Sequence, residues 1–178
     1  RDWSSDVCSS DLRALSPLVA SWRRGLRVML FSVEEWALTG SAQYVEALSP
    51  AERAGIALNV NLDSVAGSPD LAALTSGYAG VEPFLLRVAE ANGQKLRAVR
   101  PLMTNSDHAN FAQGGIPAIR LVAGFDDPTA NLRLVLTPAD TRATVEQKDL
   151  RQATLLTAAL VAAACTAEPA EAARWRIR

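Results

Sequence analysis

Apolar and polar residues follow one another along the chain in blocks that predict alternating strands and helices. The run LRVMLF at residues 26–31 is continuously apolar, which is typical of a strand buried on both faces. Residues 81–93 carry apolar side chains at helical spacing and end at a glycine, which favours a helix. Alternation of this kind predicts an α/β sandwich. The other predicted strands are 56–63, 70–76, 95–101 (at a sheet edge) and 116–124, and the other predicted helices are 39–48, 106–115 and 146–165.

Length and composition favour one globular domain. The chain has 178 residues, of which 49% are hydrophobic and 21% charged, and its formal net charge is -1. This balance gives no basic surface for nucleic acid, so nucleic acid is not an expected partner. The apolar part of the terminal helix is shorter than the ~20 residues that cross a bilayer, so no membrane span is expected.

The first twelve residues differ in character from the rest. RDWSSDVCSSDL resembles, from Asp2 onward, the translation of a common sequencing adapter, and we interpret residues 1–12 as a disordered, non-native scar. A genuine serine-rich N-terminus is the alternative. We expect residues 13–166 to be the C-terminal part of one α/β domain and residues 167–178 to be a tail. Outside the scar only Cys165 remains, so no disulfide within the chain is expected.

Acidic residues come directly after two of the predicted strands. Glu34 and Glu35 follow the first strand, and Asp63 ends the second. Ligands of open α/β sheets bind beyond the carboxyl ends of the strands, and converging carboxylates repel one another unless a cation or a proton lies between them. A divalent metal would remove this conflict, with one carboxylate binding it and a neighbour accepting a proton from water. Alternatively, Glu34 and Glu35 simply begin a solvated helix, where acids favour the helix dipole.

Four segments together resemble the zinc aminopeptidases of peptidase family M28. They are FSVEEWALTGSAQYV, NVNLDSVAG, SDHANFAQGGIPAIRL and LTPADT, and they occur in the family's order between residue 26 and about residue 160. Relatives include glutamate carboxypeptidases, glutaminyl cyclases and the non-catalytic transferrin receptors. The resemblance implies an α/β fold, a mixed-sheet three-layer sandwich of the zinc exopeptidase type, here incomplete at the N-terminus. The missing strands would leave an exposed apolar edge that favours aggregation.

The resemblance also implies roles for individual residues. Members of the family hold two zinc ions about 3.5–4 Å apart and hydrolyse peptide substrates. By position, Glu34 matches the general base, Glu35 a ligand of one zinc, and Asp63 a ligand of the other. His108, the single histidine of the chain, and Asp107 match positions beside the site. A lining role in the substrate pocket and a local role at the start of a helix remain open for both.

The sequence departs from the family's pattern at the metal site. Leu136 occupies the position of the last histidine ligand, and two further ligands would lie upstream of this chain, so three of the five expected ligands are missing. Asp140 is a conceivable substitute, although a turn aspartate is the simpler interpretation. Because catalytic zinc normally has three protein ligands, we expect this chain alone to bind no zinc and to be inactive.

Two functions therefore remain open at this point. The first is a metal-dependent exopeptidase, of which this chain is one part. The second is a non-catalytic interaction domain on the same fold, which the leucine at position 136 favours. A nucleotide-binding domain is disfavoured because no glycine-rich phosphate loop follows a predicted strand. For the longer parent protein, a secreted or periplasmic location is the expectation. The sequence does not indicate the oligomeric state or which substrate side chain is preferred.

Overall fold

A mixed sheet of four strands organises the part of the chain that the structure describes. The computed structural model describes residues 15–178, so the proposed scar at residues 1–12 lies outside the described residues. The strands stand side by side in the order β1-β4-β2-β3. β1 runs parallel to β4 and β2 parallel to β3, whereas β2 and β4 are antiparallel. Their bounds are β1 Asn59–Leu62, β2 Leu71–Leu74, β3 Arg97–Val99 and β4 Ala118–Ala123.

Between residues 15 and 178, six α-helices connect and cover these strands. The second begins with Pro50 and a capping box, in which the Ser49 hydroxyl accepts from the Glu52 amide and the Glu52 carboxylate accepts from the Ser49 amide. No helix between residues 15 and 178 is long and apolar enough to cross a membrane. The helices are α1 Thr39–Ala47, α2 Pro50–Gly55, α3 Glu82–Ala91, α4 His108–Gln113, α5 Gln147–Thr166 and α6 Pro169–Arg174.

The core lies between the sheet and the helices. β2 and β4 are buried at every position, because β2 is flanked by strands on both sides and β4 likewise. In β2, Leu71 and Ala73 face the main core, while Ala72 and Leu74 face a smaller cluster on the other side. Successive side chains of β2 and β4 point to opposite faces of the sheet, and both faces are apolar. This explains why the sequences of both strands are nearly continuous apolar runs. Arg120 is the one charged residue of β4, and it is only 6% exposed.

The predicted strand at residues 26–31 is wrong. The segment is irregular and makes no strand pairing, and its Leu30 and Val28 side chains are 74% and 40% exposed. It lies across a cavity of about 1210 Å³ from β1, which is the end strand of the sheet. Apolar composition makes a strand only where a neighbour satisfies its backbone groups, and the gap to β1 leaves this segment without one.

Residues 167–178 fold back onto the core. The Trp175 side chain is 1% exposed and stacks on Phe84, with ring centroids 4.6 Å apart. The Arg176 guanidinium donates to the backbone carbonyl of Ile56 at 2.8 Å, just after α2. The Gly80 amide donates to the Ile177 carbonyl at 2.9 Å. The last turn of the chain thus joins segments that are distant in sequence.

Candidate active site

A strained turn presents the two adjacent glutamates. Glu34 is half-buried and Glu35 is exposed, and the turn that carries them continues directly into α1. Three residues of this turn have left-handed backbone angles: Val33 (φ 62), Ala37 (φ 64) and Leu38 (φ 55). These angles are costly for residues other than glycine, above all for a β-branched valine, and persist only where surrounding contacts hold them.

Contacts between α1 and α4 hold the turn. The buried Ser41 hydroxyl donates to Asp107 Oδ1 at 2.5 Å. The Asn110 amide donates to the Leu38 carbonyl at 3.1 Å and to Ser41 Oγ at 2.8 Å. Asp107 stands at the N-cap position of α4, yet its side chain makes no capping hydrogen bond. Its carboxylate instead connects α4 to the helix that follows the two glutamates.

Glu34 is the most strongly perturbed acid of the cluster. Partial burial, together with the negative charges of Asp63, Glu35 and Asp107, raises the pKa of its carboxyl to about 7, while Arg120 acts in the opposite direction. A carboxyl group with a pKa near neutrality can both accept and return a proton at physiological pH. This is the behaviour that a general base requires.

Asp63 is held by an arginine. The carboxylate follows the end of β1, and its Oδ2 lies 3.2 Å from Arg120 Nη2. Its Oδ1 accepts a hydrogen bond from Ser64 Oγ at 3.1 Å. Arg120 Nη1 donates to Asn105 Oδ1 at 3.1 Å. Both carboxylate oxygens of Asp63 therefore already have partners from the protein.

His108 is buried behind the acids. Its side chain is fully buried, and within the described residues neither ring nitrogen has a hydrogen-bond partner. Burial and the positive charge of Arg120 together lower the pKa of the imidazole to about 4. The ring is therefore neutral at pH 7, and it does not line the large cavity beside β1.

The remaining candidate ligands do not complete a metal site. Leu136 is 79% exposed, has a left-handed backbone (φ 63), and offers no lone pair. Between residues 15 and 178, no group of three histidine, cysteine, aspartate or glutamate side chains is placed to hold a metal ion. The donors in this part of the chain thus do not fit zinc. The acids that line the large cavity are Glu34, Glu35, Glu52, Asp63, Asp107 and Asp140.

Sequence reasoning missed three residues of this site. Arg120, Ser41 and Asn110 each contact one of its acids or the backbone beside them. Only Arg120 left a signal, because a charge inside the otherwise apolar run IPAIRLVAG has to find a partner when it is buried. The other two act across the fold, through partners 66 to 72 residues away.

Comparison with known proteins agrees with this architecture. The sequence profile described as "Peptidase family M28" matches residues 8–161. The chain belongs to peptidase family M28. Among solved structures, a zinc aminopeptidase from Bacillus subtilis is 28% identical with a TM-score of 0.69, and the match covers 78% of this chain and 35% of that one. The expected family and the expected mixed-sheet α/β fold are therefore confirmed.

Two further structures share the fold at lower identity. An aminopeptidase from Aneurinibacillus is 24% identical with a TM-score of 0.65, covering 78% of this M28 chain and 33% of its own. The LapA aminopeptidase of Legionella pneumophila is 19% identical with a TM-score of 0.61, covering 78% and 38%. The chain thus spans about a third of the length of these proteins. Curated protein sequences gave no match.

Proposed function

We propose that this chain is part of a peptide-bond hydrolase of the aminopeptidase type, with Glu34 as its general base. The observation that supports the proposal most directly is the environment of Glu34. Burial and the charges of Asp63, Glu35 and Asp107 together raise its pKa to about 7, beside the carboxyl end of β1. Membership of the M28 family supports peptides as the substrate class.

The chain's own residues account for the handling of protons. Above pH 7 the Glu34 carboxylate accepts a proton from a water molecule while the oxygen of that water attacks the scissile carbonyl carbon. Glu34 then returns this proton to the leaving amine. Ser41, Asp107 and Asn110 hold the turn during this exchange, so the carboxylate keeps its position.

Zinc belongs to the proposal only for a longer protein. The family and its zinc aminopeptidase structures support zinc there, whereas Glu35 and Asp63 alone do not form a site. Ligands from outside this chain would have to complete it, since catalytic zinc normally has three protein ligands. We therefore propose that the chain by itself is inactive.

Hydrolysis of a chromogenic aminoacyl substrate tests this function. The assay compares the chain alone with a longer protein that adds the upstream part of the M28 domain. We expect no turnover by the chain, and turnover by the longer protein that falls about 10²-fold or more in Glu34→Gln. Glu46→Gln, an exposed acid of α1, is the matched control and should keep full activity. Zinc-dependent turnover by the chain alone, or an unaffected Glu34→Gln, would contradict the proposal.

A non-catalytic interaction domain is the second candidate. Two observations favour it: the exposed Leu136 at the position of a ligand, and the engagement of Asp63 by Arg120. The same assay separates the two functions. A longer protein that folds, binds peptides and hydrolyses none of them would support the binding role.

A further inference from the structure

Arg120 is a buried cation inside a cluster of acids. Its side chain comes from the middle of β4 and is 7% exposed, and its partners are Asp63 and Asn105. The third nitrogen of the guanidinium, Nε, has no partner among the described residues. Buried arginines normally have every donor paired or hydrated. Because Nε is unpaired here, Asp63 is the main partner of the Arg120 charge.

The charge of Arg120 is permanent and acts on more than one group. A guanidinium does not lose its proton at any pH at which the protein is folded. Besides its contact with Asp63, it lowers the pKa of Glu34 and of His108. It therefore supplies, from the protein itself, part of the positive charge that converging carboxylates need.

This contact conflicts with a metal at the same carboxylate. Asp63 has one oxygen on Arg120 and the other on Ser64. A metal ion bound to Asp63 would have to share the carboxylate with the guanidinium or displace it, and in either case it would lie close to the positive charge of Arg120. This disfavours the cation, because like charges within a few ångströms repel strongly in a partly buried site.

We propose that Arg120 is the resident cation of the acid cluster, which keeps the Asp63 half of the site free of divalent metal unless the Asp63–Arg120 pair opens. The proposal rests on the assignment of Asp63 to the site proposed above, and not on hydrolysis. The negative charge of Asp63 is thus balanced by the Arg120 side chain. The pattern of acids in the sequence did not indicate this partner.

Calorimetry of zinc binding tests the proposal in the longer protein of the peptide assay, because residues 15–178 alone offer too few ligands for a measurable site. The unmodified chain and each variant below are compared in that longer form. Arg120→Met removes the charge but keeps an unbranched side chain, and we expect it to bind Zn²⁺ about tenfold or more tightly than the unmodified chain. Adding Asp63→Asn to Arg120→Met should reverse the gain. Arg97→Met, which removes an exposed arginine paired with Asp126, is the matched control and should leave zinc affinity unchanged.

Two results would overturn the proposal: zinc binding by the unmodified chain as tight as by Arg120→Met, or a gain that persists after Asp63→Asn. If Arg120→Met does not fold, Arg120→Gln replaces it, because glutamine removes the charge but can still donate a hydrogen bond to Asp63 or Asn105. A severalfold gain in zinc affinity then supports the proposal, and an unchanged affinity overturns it. Because the readout is binding, failure of the hydrolase proposal would appear only in the peptide assay.

Discussion

Asn110 donates its side-chain amide to the Leu38 carbonyl and to the Ser41 hydroxyl, and so joins α4 to the turn that carries Glu34 and Glu35. The two accepting residues precede it by 72 and 69 positions. A single amide thus stabilises a left-handed backbone position at Leu38 and orients the hydroxyl that contacts Asp107. The precision of the acid cluster depends on this contact between helices.

Removal of the Asn110 amide should loosen the turn. We expect Asn110→Ala to lower the free energy of unfolding by about 1–3 kcal/mol, because Ser41 and the Leu38 carbonyl lose a partner in a partly buried place. Amide hydrogen exchange should also become faster at residues 33–42. Denaturant unfolding and exchange measure the two effects. Asn92→Ala is the control. It removes a hydrogen bond from the Asn92 side-chain amide to the Val88 carbonyl at the end of α3 and should leave exchange at residues 33–42 unchanged.

The pKa of Glu34 should be measurable near neutrality. In a carbon-13 NMR titration we expect the Glu34 carboxyl to titrate at about pH 7. Glu35→Gln should lower this pKa, and Asp63→Asn should lower it more, because Asp63 is the stronger of the two charge effects and its removal also frees Arg120. A Glu34 pKa that remained near 4.5 in the unmodified chain would refute the described environment.

The same shift predicts how stability depends on pH. The pKa of Glu34 is higher in the folded state than the ordinary 4.5, so the folded state binds this proton more tightly than the unfolded state. Its stabilising contribution is complete below pH 4.5 and is lost as the pH rises through about 7. Relative to Glu34→Gln, the unmodified chain should therefore become less stable across this window. The difference between the two unfolding curves, recorded from pH 4 to 8, measures it.

Gly80 should tolerate no side chain. A Cβ atom at this position would lie 1.9 Å from the Arg174 carbonyl oxygen, which belongs to the backbone of α6 and cannot move alone. We expect Gly80→Ala to cost about 1–3 kcal/mol or more and to detach residues 169–178, which limited proteolysis would reveal. Gly55→Ala is the matched control, because nothing lies within 4 Å of its added Cβ. Equal stability of the two variants would contradict the packing of α6.

Trp175 should contribute more to stability than any exposed tryptophan. We expect Trp175→Ala to cost about 3–5 kcal/mol, because the ring is fully buried against Phe84. Trp175→Phe should cost clearly less, since it keeps an aromatic ring and removes a buried N–H that has no partner among the described residues. Trp36→Ala, at a side chain 78% exposed, should change unfolding little. Thermal unfolding compares the three variants.

Local sequence patterns predicted most of the regular structure. The helices that became α3 and α5 and the strands that became β2 and β4 were all anticipated, because each has a periodicity and end signals that need no distant partner. The run at residues 26–31 has an equally strong apolar pattern and yet forms no strand. It forms no strand because no neighbouring strand pairs with its backbone, and the sequence alone does not show which strands will be neighbours.

The acids of the site were also visible in the sequence, but their partners were not. Glu34, Glu35 and Asp63 stand where strands were predicted to end, and the structure brings all three to one cavity. The pairing of Asp63 with Arg120, and the contact of Asp107 with Ser41 rather than with a helix cap, depend on side chains 57 to 66 residues away. The identity of such partners follows from the tertiary fold alone.

The return of residues 174–178 to the core has a consequence for synthesis. Arg176 reaches carbonyls 120 to 122 positions earlier, and Arg178 reaches the Tyr78 hydroxyl 100 positions earlier. On a ribosome these contacts cannot form until residues 174–178 have left the exit tunnel. Until then the growing chain holds an uncovered Phe84 surface, and a nascent polypeptide in that condition is a natural client for a chaperone.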